Sequence, residues 1–345
     1  MAIRVAINGF GRIGRNTFRA IHERGLAKQL EVVAVNDLTS STTLAHLLKY
    51  DTVLDRFDEK VSADEHSITV GRKRIAVLAE RDPAKLPWKK LGVDVVLECT
   101  GHFTKDGASR AHLKAGAKRV IVSAPTKGSG GVATFVLGVN DGELGKHDAI
   151  NNASCTTNCV APVTRVMEEA FGVERAALTT IHAVTAEQNL VDGPPPGLKG
   201  SDLRRARAAY VNMVPTSTGA AIATTEAIPS LEGKFDGLAI RVPVVDVSLS
   251  DFVFVLKKAV TVEQVNNAFK RAAKHPTYRG VLAVTEEPLV SSDYMRSPYS
   301  AIVDLPLTKV IDGTLVKVLA WYDNEWGYSC RLAEMAVLVG KQLAK

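Results

Sequence analysis

Cysteine is scarce in this chain, with four among 345 residues: Cys99, Cys155, Cys159 and Cys330. That is too few and too unevenly spread for a disulfide framework, and it suits a reducing compartment. Long apolar runs are missing, so no segment is expected to span a bilayer, and no basic-then-apolar leader precedes the first strand-like run. Aromatic residues make up only 6%, with no aromatic-rich nucleic-acid-binding signature. There is no low-complexity tract. The formal net charge of +6 comes from scattered Lys and Arg rather than a basic block, so nucleic-acid binding is at most secondary. What remains is a globular composition, 46% hydrophobic and 23% charged. The length suggests about two domains, able to build cores without disulfides or a structural metal. The expectation is a soluble cytoplasmic protein.

The N-terminal segment "IRVAINGFGRIGRNTFRAIHERG" opens with an apolar, β-branched run, Ile3 to Ile7. Gly9, Gly11 and Gly14 follow in the pattern G-x-G-x-x-G. From Arg12 the spacing turns helical, with Ile13, Phe18 and Ile21 on one stripe and Gly25 as a stop. A second apolar run, "LEVVAVND", ends at Asp37. In this order the glycines acquire distinct physical roles. Gly9 permits a tight turn, Gly11 admits a pyrophosphate against the backbone, and Gly14 lets helix and strand pack closely. The helix N-terminus offers unpaired N–H groups to the phosphates. Asp37 can accept hydrogen bonds from ribose hydroxyls and would repel a 2′-phosphate, which favours NAD over NADP. Glycine turns alone are common; the strand–helix–strand–acid order is what points to dinucleotide binding.

Further apolar runs at 93–101, 118–125 and 134–140 read as strands, and segments between them, such as 104–116, as helices. The alternation predicts a mainly parallel sheet covered on both faces. Thr100, Gly101 and Ser123 stand at strand ends, where ligands bind in such sheets, although each could equally be a turn residue.

In "NNASCTTNCVAP" (151–162) Cys155 is surrounded by hydroxyls and amides. Val160, Val163, Met167, Ala170 and Phe171 keep helical spacing and Gly172 ends the run, so Ser154 to Thr157 lie at or near a helix N-terminus, with Pro162 blurring the start. A thiol there is expected to have a lowered pKa, and its polar neighbours to supply donors for an oxyanion or an anion. Cys159 does not form a C-x-x-C redox pair with it, and no His or Cys cluster supplies metal ligands. The strand-like "ALTTIHAVT" (177–185) carries His182. A lone His is more often a satisfied core residue, but one helix beyond a polar Cys it becomes a candidate base. Arg241, in the otherwise apolar "GLAIRVPV", needs a partner.

These segments resemble the phosphorylating glyceraldehyde-3-phosphate dehydrogenase family: "INGFGRIGR", "ASCTTNC", "TTIHA", "STGAA" (217–221), "AIRVP" (239–243) and "WYDNEWGYS" (321–329) occur in the family's order and near its spacings. The resemblance covers the whole chain. It implies an α/β architecture: a Rossmann NAD domain (1–154), an α+β catalytic domain with a mostly antiparallel sheet (155–326), and a last helix (327–345) packing back on the NAD domain. It implies a cytosolic homotetramer that acts on glyceraldehyde 3-phosphate and inorganic phosphate, with NAD as cofactor and no metal. Cys155 would attack the aldehyde and His182 would serve as base. Asn324 would hold the nicotinamide carboxamide with Tyr328 nearby. Arg12, Ile13, Asn36 and Arg81 would complete the NAD contacts. Thr185 and Arg241 would hold the substrate phosphate. Ser154, Thr156, Thr218 and Gly219, with Arg205 near, would hold inorganic phosphate. His182 and Thr185 have opposite strand parity, so Thr185 must lie past the strand's end to share a site with it.

Two features depart from the family. The loop "DGPPPGLKGSDLRRARAA" (192–209) is about four residues longer than usual, and its three prolines favour an extended form. This bears on the cofactor contacts, on subunit packing and above all on Arg205. Glu187 stands where many members have Asp. The nearest rival by resemblance is erythrose-4-phosphate dehydrogenase, whose members usually lack the "STG" present here at 217–219. A rival of another class is an RNA-binding protein on a Rossmann scaffold, supported only by the positive charge.

Overall fold

A computed structural model describes residues 2–145, 147–194 and 202–343. The chain divides into two compact units. The first comprises residues up to Phe135, Gly142–Ser154 and the chain from Ser329 onward; the second comprises Val136–Asp141 and Cys155–Tyr328.

In the first unit the strands are β1 (Ile3–Asn8), β2 (Leu30–Asn36), β3 (Val61–Asp64), β4 (Ser67–Val70), β5 (Lys73–Leu78), β6 (Val95–Glu98), β7 (Arg119–Val122), β8 (Ala133–Thr134) and β9 (Ala149–Asn151). They form one sheet, in the order β3-β4-β5-β2-β1-β6-β7-β9-β8. β1 runs parallel to both β2 and β6, and β6, β7 and β9 continue the parallel set. Only β3–β4 and β4–β5 are antiparallel. The chain leaves β1 to build β2 on one side and returns to place β6 on the other. A crevice therefore opens at the carboxyl ends of these strands, where doubly wound sheets bind ligands. The helices are α1 (Arg12–Glu23), α2 (Ser41–Lys49), α3 (Trp88–Leu91) and α4 (Ala111–Lys114). α1 buries Phe18 and Ile21.

One sequence expectation fails in this part of the chain. The run 134–140 is not a strand: past β8 it turns, with Gly138 at φ +78°. Asn140 Oδ1 accepts from Val136 N and Asp141 Oδ1 from Gly138 N. These side chains offer the backbone a local alternative to a ladder, and glycine permits the left-handed turn.

The second unit holds α5 (Cys155–Phe171), β10 (Val173–His182), β11 (Val214–Ser217), α6 (Ala220–Ala227), β12 (Phe235–Arg241), β13 (Ser248–Leu256), α7 (Val262–Lys274), β14 (Leu282–Thr285), β15 (Ala301–Asp304), β16 (Lys309–Ile311) and β17 (Leu315–Tyr322). Its sheet runs β11-β12-β10-β13-β17-β15-β14, with β16 on β17. Most pairs are antiparallel; β10–β12 and β14–β15 are parallel. β13 and β17 alternate buried and half-buried residues, as a sheet with one covered face requires. Phe252, Phe254, Val316 and Val318 pack on that face with Val160, Val163 and Met167 of α5. α7 opens with a capping box formed by Thr261 and Gln264.

The last helix, α8 (Trp326–Gln342), starts in the second unit and continues in the first. Within the first unit it lies against β1, since a Cβ on Gly340 would meet Ile3 side-chain carbons at 2.4 Å. All the elements together make a mixed α/β protein, with a largely parallel first sheet and a largely antiparallel second one.

Candidate active site

Helix α5 and strand β10 explain how Cys155 meets His182. The turn at Gly172, φ +70°, reverses the chain between them. A helix of α5's length spans about 25 Å and a strand of β10's length about 33 Å. The helix start therefore returns to the strand's carboxyl end. Cys155 is the first residue of α5 and His182 the last of β10. Cys155 Sγ lies 3.5 Å from His182 Nε2. Pro162 is accommodated inside α5 and does not set its start.

Strand β12 supplies the third member. His182 and Arg241 are register partners on the parallel pair β10–β12, so their side chains project together. Arg241 Nη1 lies 2.7 Å from His182 Nδ1 and donates to Ala183 O at 3.2 Å. Nδ1 also lies 2.7 Å from Ala183 O. A carbonyl can only accept and a guanidinium can only donate. Assigning the proton to Nδ1, toward Ala183 O, leaves the Nε2 lone pair facing the sulfur, while Arg241 serves as a nearby cation. Burial, with Arg241 adding to it, pushes His182 down to about 3, so the ring is neutral near pH 7.

The thiol overturns one expectation. Its pKa is raised, because burial outweighs Arg241, the Thr156 hydroxyl and the backbone N–H groups at the start of α5, which all lower it. The resting pair is a neutral thiol beside a neutral imidazole. Cys159 is buried in the core with its sulfur toward Ala320 O.

Beyond Arg241 the cluster continues through Glu187, whose Oε1 lies 3.5 Å from Arg241 Nη2 and 3.6 Å from Arg205 Nη1. Arg205 Nε donates to Thr216 Oγ1 at 2.8 Å and its Nη2 to Ser217 O at 3.3 Å. Thr185 lies three residues past the end of β10, and Gln188 returns to it through backbone and side-chain bonds. Thr185 Oγ1 and Arg241 Nε are buried without a hydrogen-bond partner among the described residues. A buried hydroxyl and a buried guanidinium N–H left open are donors of the kind a phosphate accepts from.

Thr218 and Gly219 stand at the start of α6, where Thr218 Oγ1 accepts from Ala220 N. Thr156 Oγ1 turns to Tyr322 OH at 3.0 Å, and that phenol also meets Thr180. Asn324 Oδ1 accepts from Ser248 Oγ at 2.7 Å, and Ser248 Oγ in turn accepts from Ala183 N. Asn324 is thus tied to the residue next to His182, with its amide nitrogen left to donate. Tyr328 is buried in the first turn of α8, and Ser154 immediately precedes α5. A separate cavity of about 450 Å³ in this unit, lined in part by Arg165, Arg271 and His275, includes none of these groups.

In the first unit a cavity of about 460 Å³ opens at the ends of β1, β2 and β6. Gly9, Gly11, Asn36, Asp37, Arg81 and Thr100 line it; Arg12, Ile13, Gly14, Gly101 and Ser123 do not. Arg12 is paired with Asp51. Gly101, φ +73°, follows Thr100, and Ser123 follows β7.

Residues 3–106 match the family model described as glyceraldehyde 3-phosphate dehydrogenase, NAD binding domain, and residues 154–324 match that for the C-terminal domain. The glyceraldehyde-3-phosphate dehydrogenase of Streptomyces coelicolor is 52% identical over 345 residues, covering 99% of this chain and 100% of that protein. The one from Mycobacterium avium is 53% identical over 349 residues, covering 99% and 100%. That of Geobacillus stearothermophilus is 50% identical over 344 residues, covering 99% of each. The chain belongs to the glyceraldehyde-3-phosphate dehydrogenase family.

The first unit of this family member therefore carries an NAD-binding domain, and its residues fit the cofactor. Gly11 precedes α1 with no side-chain cap, leaving the helix N–H groups open to a pyrophosphate. A Cβ on Gly11 would meet nothing within 4 Å, which is the open approach a phosphate needs, whereas one on Gly14 would lie 2.2 Å from Gly9 O. Asp37 Oδ2 accepts from Phe10 N at 2.8 Å, which fixes the carboxylate at the rim. Asn36 is turned inward: its amide bonds Asn8 Oδ1, Glu80 O and Glu80 N, so it shapes the pocket through protein contacts.

Sequence reasoning passed over Ser248 and Tyr322 and left Glu187 without a role. Glu187 bridges two guanidinium groups. The signal was there: arginines at 205 and 241, both assigned to phosphates, call for an acid between them. The proline run of the 192–209 loop falls largely outside the described residues. Of the described part, Asp192 ties the loop's two ends by accepting from Arg207 Nε and Ala208 N.

Proposed function

We propose that this chain oxidises D-glyceraldehyde 3-phosphate with inorganic phosphate to 1,3-bisphosphoglycerate, through a thioester on Cys155 and with NAD as cofactor. The observation that carries the reading is the Cys155–His182 pair, 3.5 Å apart, held beside Arg241 with its one open buried N–H. His182 Nε2 takes the thiol proton as Sγ attacks the aldehyde carbon, and the backbone N–H groups at the start of α5 receive the developing oxyanion. The hemithioacetal gains its hydroxyl proton from His182 and returns it as the carbon is oxidised. Bound NAD supplies the hydride acceptor, and the Asn324 amide nitrogen is free to hold its carboxamide. Phosphate then attacks the thioester carbonyl, and sulfur leaves as thiolate.

Thr185 and Arg241 receive the substrate phosphate. That dianion offsets the Arg241 charge and raises the basicity of His182 when substrate is present. Thr218, Gly219, Ser154 and Thr156, with Arg205 behind Ser217, form the second phosphate site. We infer a homotetramer: Leu190, Val191, Leu203, Val211 and Met213 are 73–78% exposed on one stretch, more apolar surface than an isolated subunit favours. Cytoplasmic residence is supported by four free cysteines. No described helix is long and apolar enough to cross a membrane.

The test follows NADH absorbance with glyceraldehyde 3-phosphate, with NAD against NADP and with phosphate against none. Steady turnover that needs both NAD and phosphate supports the reading. Equal steady rates without phosphate or arsenate would favour the hydrolytic relative, erythrose-4-phosphate dehydrogenase.

A further inference from the structure

Glu98 ends β6 and is 1% exposed. It does not line the cofactor cavity, yet its carboxylate gathers four donors. Oε1 accepts from Thr100 N at 2.8 Å and from the Thr100 hydroxyl. Oε2 accepts from Asn8 Nδ2 at 2.5 Å and from His112 Nε2 at 2.9 Å. The His112 proton is placed by a fifth group. Trp88 Nε1 donates to His112 Nδ1 at 2.9 Å, so Nδ1 is an acceptor and Nε2 bears the hydrogen. The ring is then neutral, and among the described residues no cation faces Glu98. A buried carboxylate without a counter-charge costs desolvation that only well-aimed donors offset.

The contacts lead outward to the cofactor. Asn8 Oδ1 accepts from Asn36 Nδ2 at 2.6 Å, and Asn36 holds the Glu80 backbone at 2.8 and 2.9 Å. The glycine turn presses on the same place: a Cβ on Gly9 would lie 2.7 Å from Thr100 N. The ends of β1, β2 and β6 and the segment at Glu80 are thus tied to one another through the relay Glu98–Asn8–Asn36, with Glu98 at its buried end.

We propose that Glu98 is a positioning residue for the adenosine half of NAD, holding Asn8 and Thr100 at the spacing the cofactor needs without touching it. Glutamine cannot replace it. All four contacts are donations to the carboxylate, and an amide would set its own NH2 against two of them. The inference rests on the reading that this cavity takes the adenosine half.

The test uses the full-length chain, with ADP-ribose and NAD as probes in calorimetric titration and steady-state kinetics alongside. For Glu98→Gln the Kd of both probes rises about tenfold or more, the fold-change of roughly one lost charge-assisted bond. The KM of the aldehyde stays within about twofold and kcat at saturating NAD within about threefold, since no reacting group has moved. An unchanged Kd overturns the proposal, as does a uniform loss across NAD, aldehyde and Tm, which would mark general destabilisation. Should Glu98→Gln fail to fold, His112→Leu is set against His112→Gln, which keeps an oxygen for Trp88 and an NH2 for Glu98. Weaker ADP-ribose binding in the Leu variant with recovery in the Gln variant supports the proposal; equal Kd values overturn it. Wild-type protein that does not bind ADP-ribose would instead sink the reading of the cavity.

Discussion

Replacing Arg241 by Leu should make Cys155 less reactive even toward reagents that carry no phosphate. The route from sulfur to cation runs through His182: 3.5 Å from Sγ to Nε2 and 2.7 Å from Nδ1 to the guanidinium. With about 2 Å across the ring, the charge lies at most about 8 Å from the sulfur, and at an effective dielectric near 20 that distance is worth about 2 kcal/mol to the thiolate. Glu187, 3.5 Å from the same guanidinium, cancels part of this. The remainder, about 1.4 kcal/mol, is about one pKa unit. A more basic thiolate is also a better nucleophile, so alkylation below the pKa slows by about fourfold rather than tenfold. The assay is iodoacetamide modification of ligand-free enzyme across pH 6–10, with the Cys155 peptide followed by mass spectrometry. The profile should shift upward by about one unit in the variant. An unchanged or faster rate would refute the claim that Arg241 reaches the sulfur electrostatically through His182.

Three further outcomes follow from the same structure. Burial and then Arg241 hold His182 at about 3 against its ordinary 6.5. The unfolded chain therefore takes up that proton first, so stability is complete above pH 6.5 and falls as pH drops toward 3. Urea unfolding between pH 6.5 and 4.5 should cost wild type about 2 kcal/mol more than His182→Asn; parallel curves would contradict this. Asp37→Ala should lower the NAD-to-NADP preference in kcat/KM by about tenfold or more, because the carboxylate that repels a 2′-phosphate is gone. In Gly14→Ala the new Cβ would sit 2.2 Å from Gly9 O, and NAD affinity should fall about tenfold or more as the turn is forced open; calorimetry against wild type decides it.

How much of this was legible in the sequence depended on distance along the chain. β1, α1 and β2 could be read directly because apolar periodicity and the glycine pattern are local. The same held for the stop of α5 at Gly172, while its start was read only to within Ser154 to Thr157 because Pro162 blurred it. The run 134–140 misled because its apolar residues outvoted Gly138 and Asn140, whose turn-forming chemistry decides the backbone there. The thiol misled differently: a helix N-terminus favours thiolate, but the packing that takes water from the half-buried Cys155 is a tertiary fact. Glu98 could not be read at all. Its partners Asn8 and His112, and Trp88 behind His112, are far apart in sequence and meet only when the sheet forms. The one clue was an acid closing an otherwise apolar strand. Arg241 beside His182 needed the parallel pairing of β10 with β12, which no spacing rule supplies.

The central claim is that Cys155 carries the acyl group between oxidation and phosphate transfer. The most direct measurement mixes enzyme, NAD and glyceraldehyde 3-phosphate without phosphate, quenches in acid and maps the adduct by peptide mass spectrometry. The account predicts one phosphoglyceroyl group on the Cys155 peptide, released when phosphate is added before the quench. An acyl group elsewhere, or turnover with an unmodified Cys155 throughout, would contradict it.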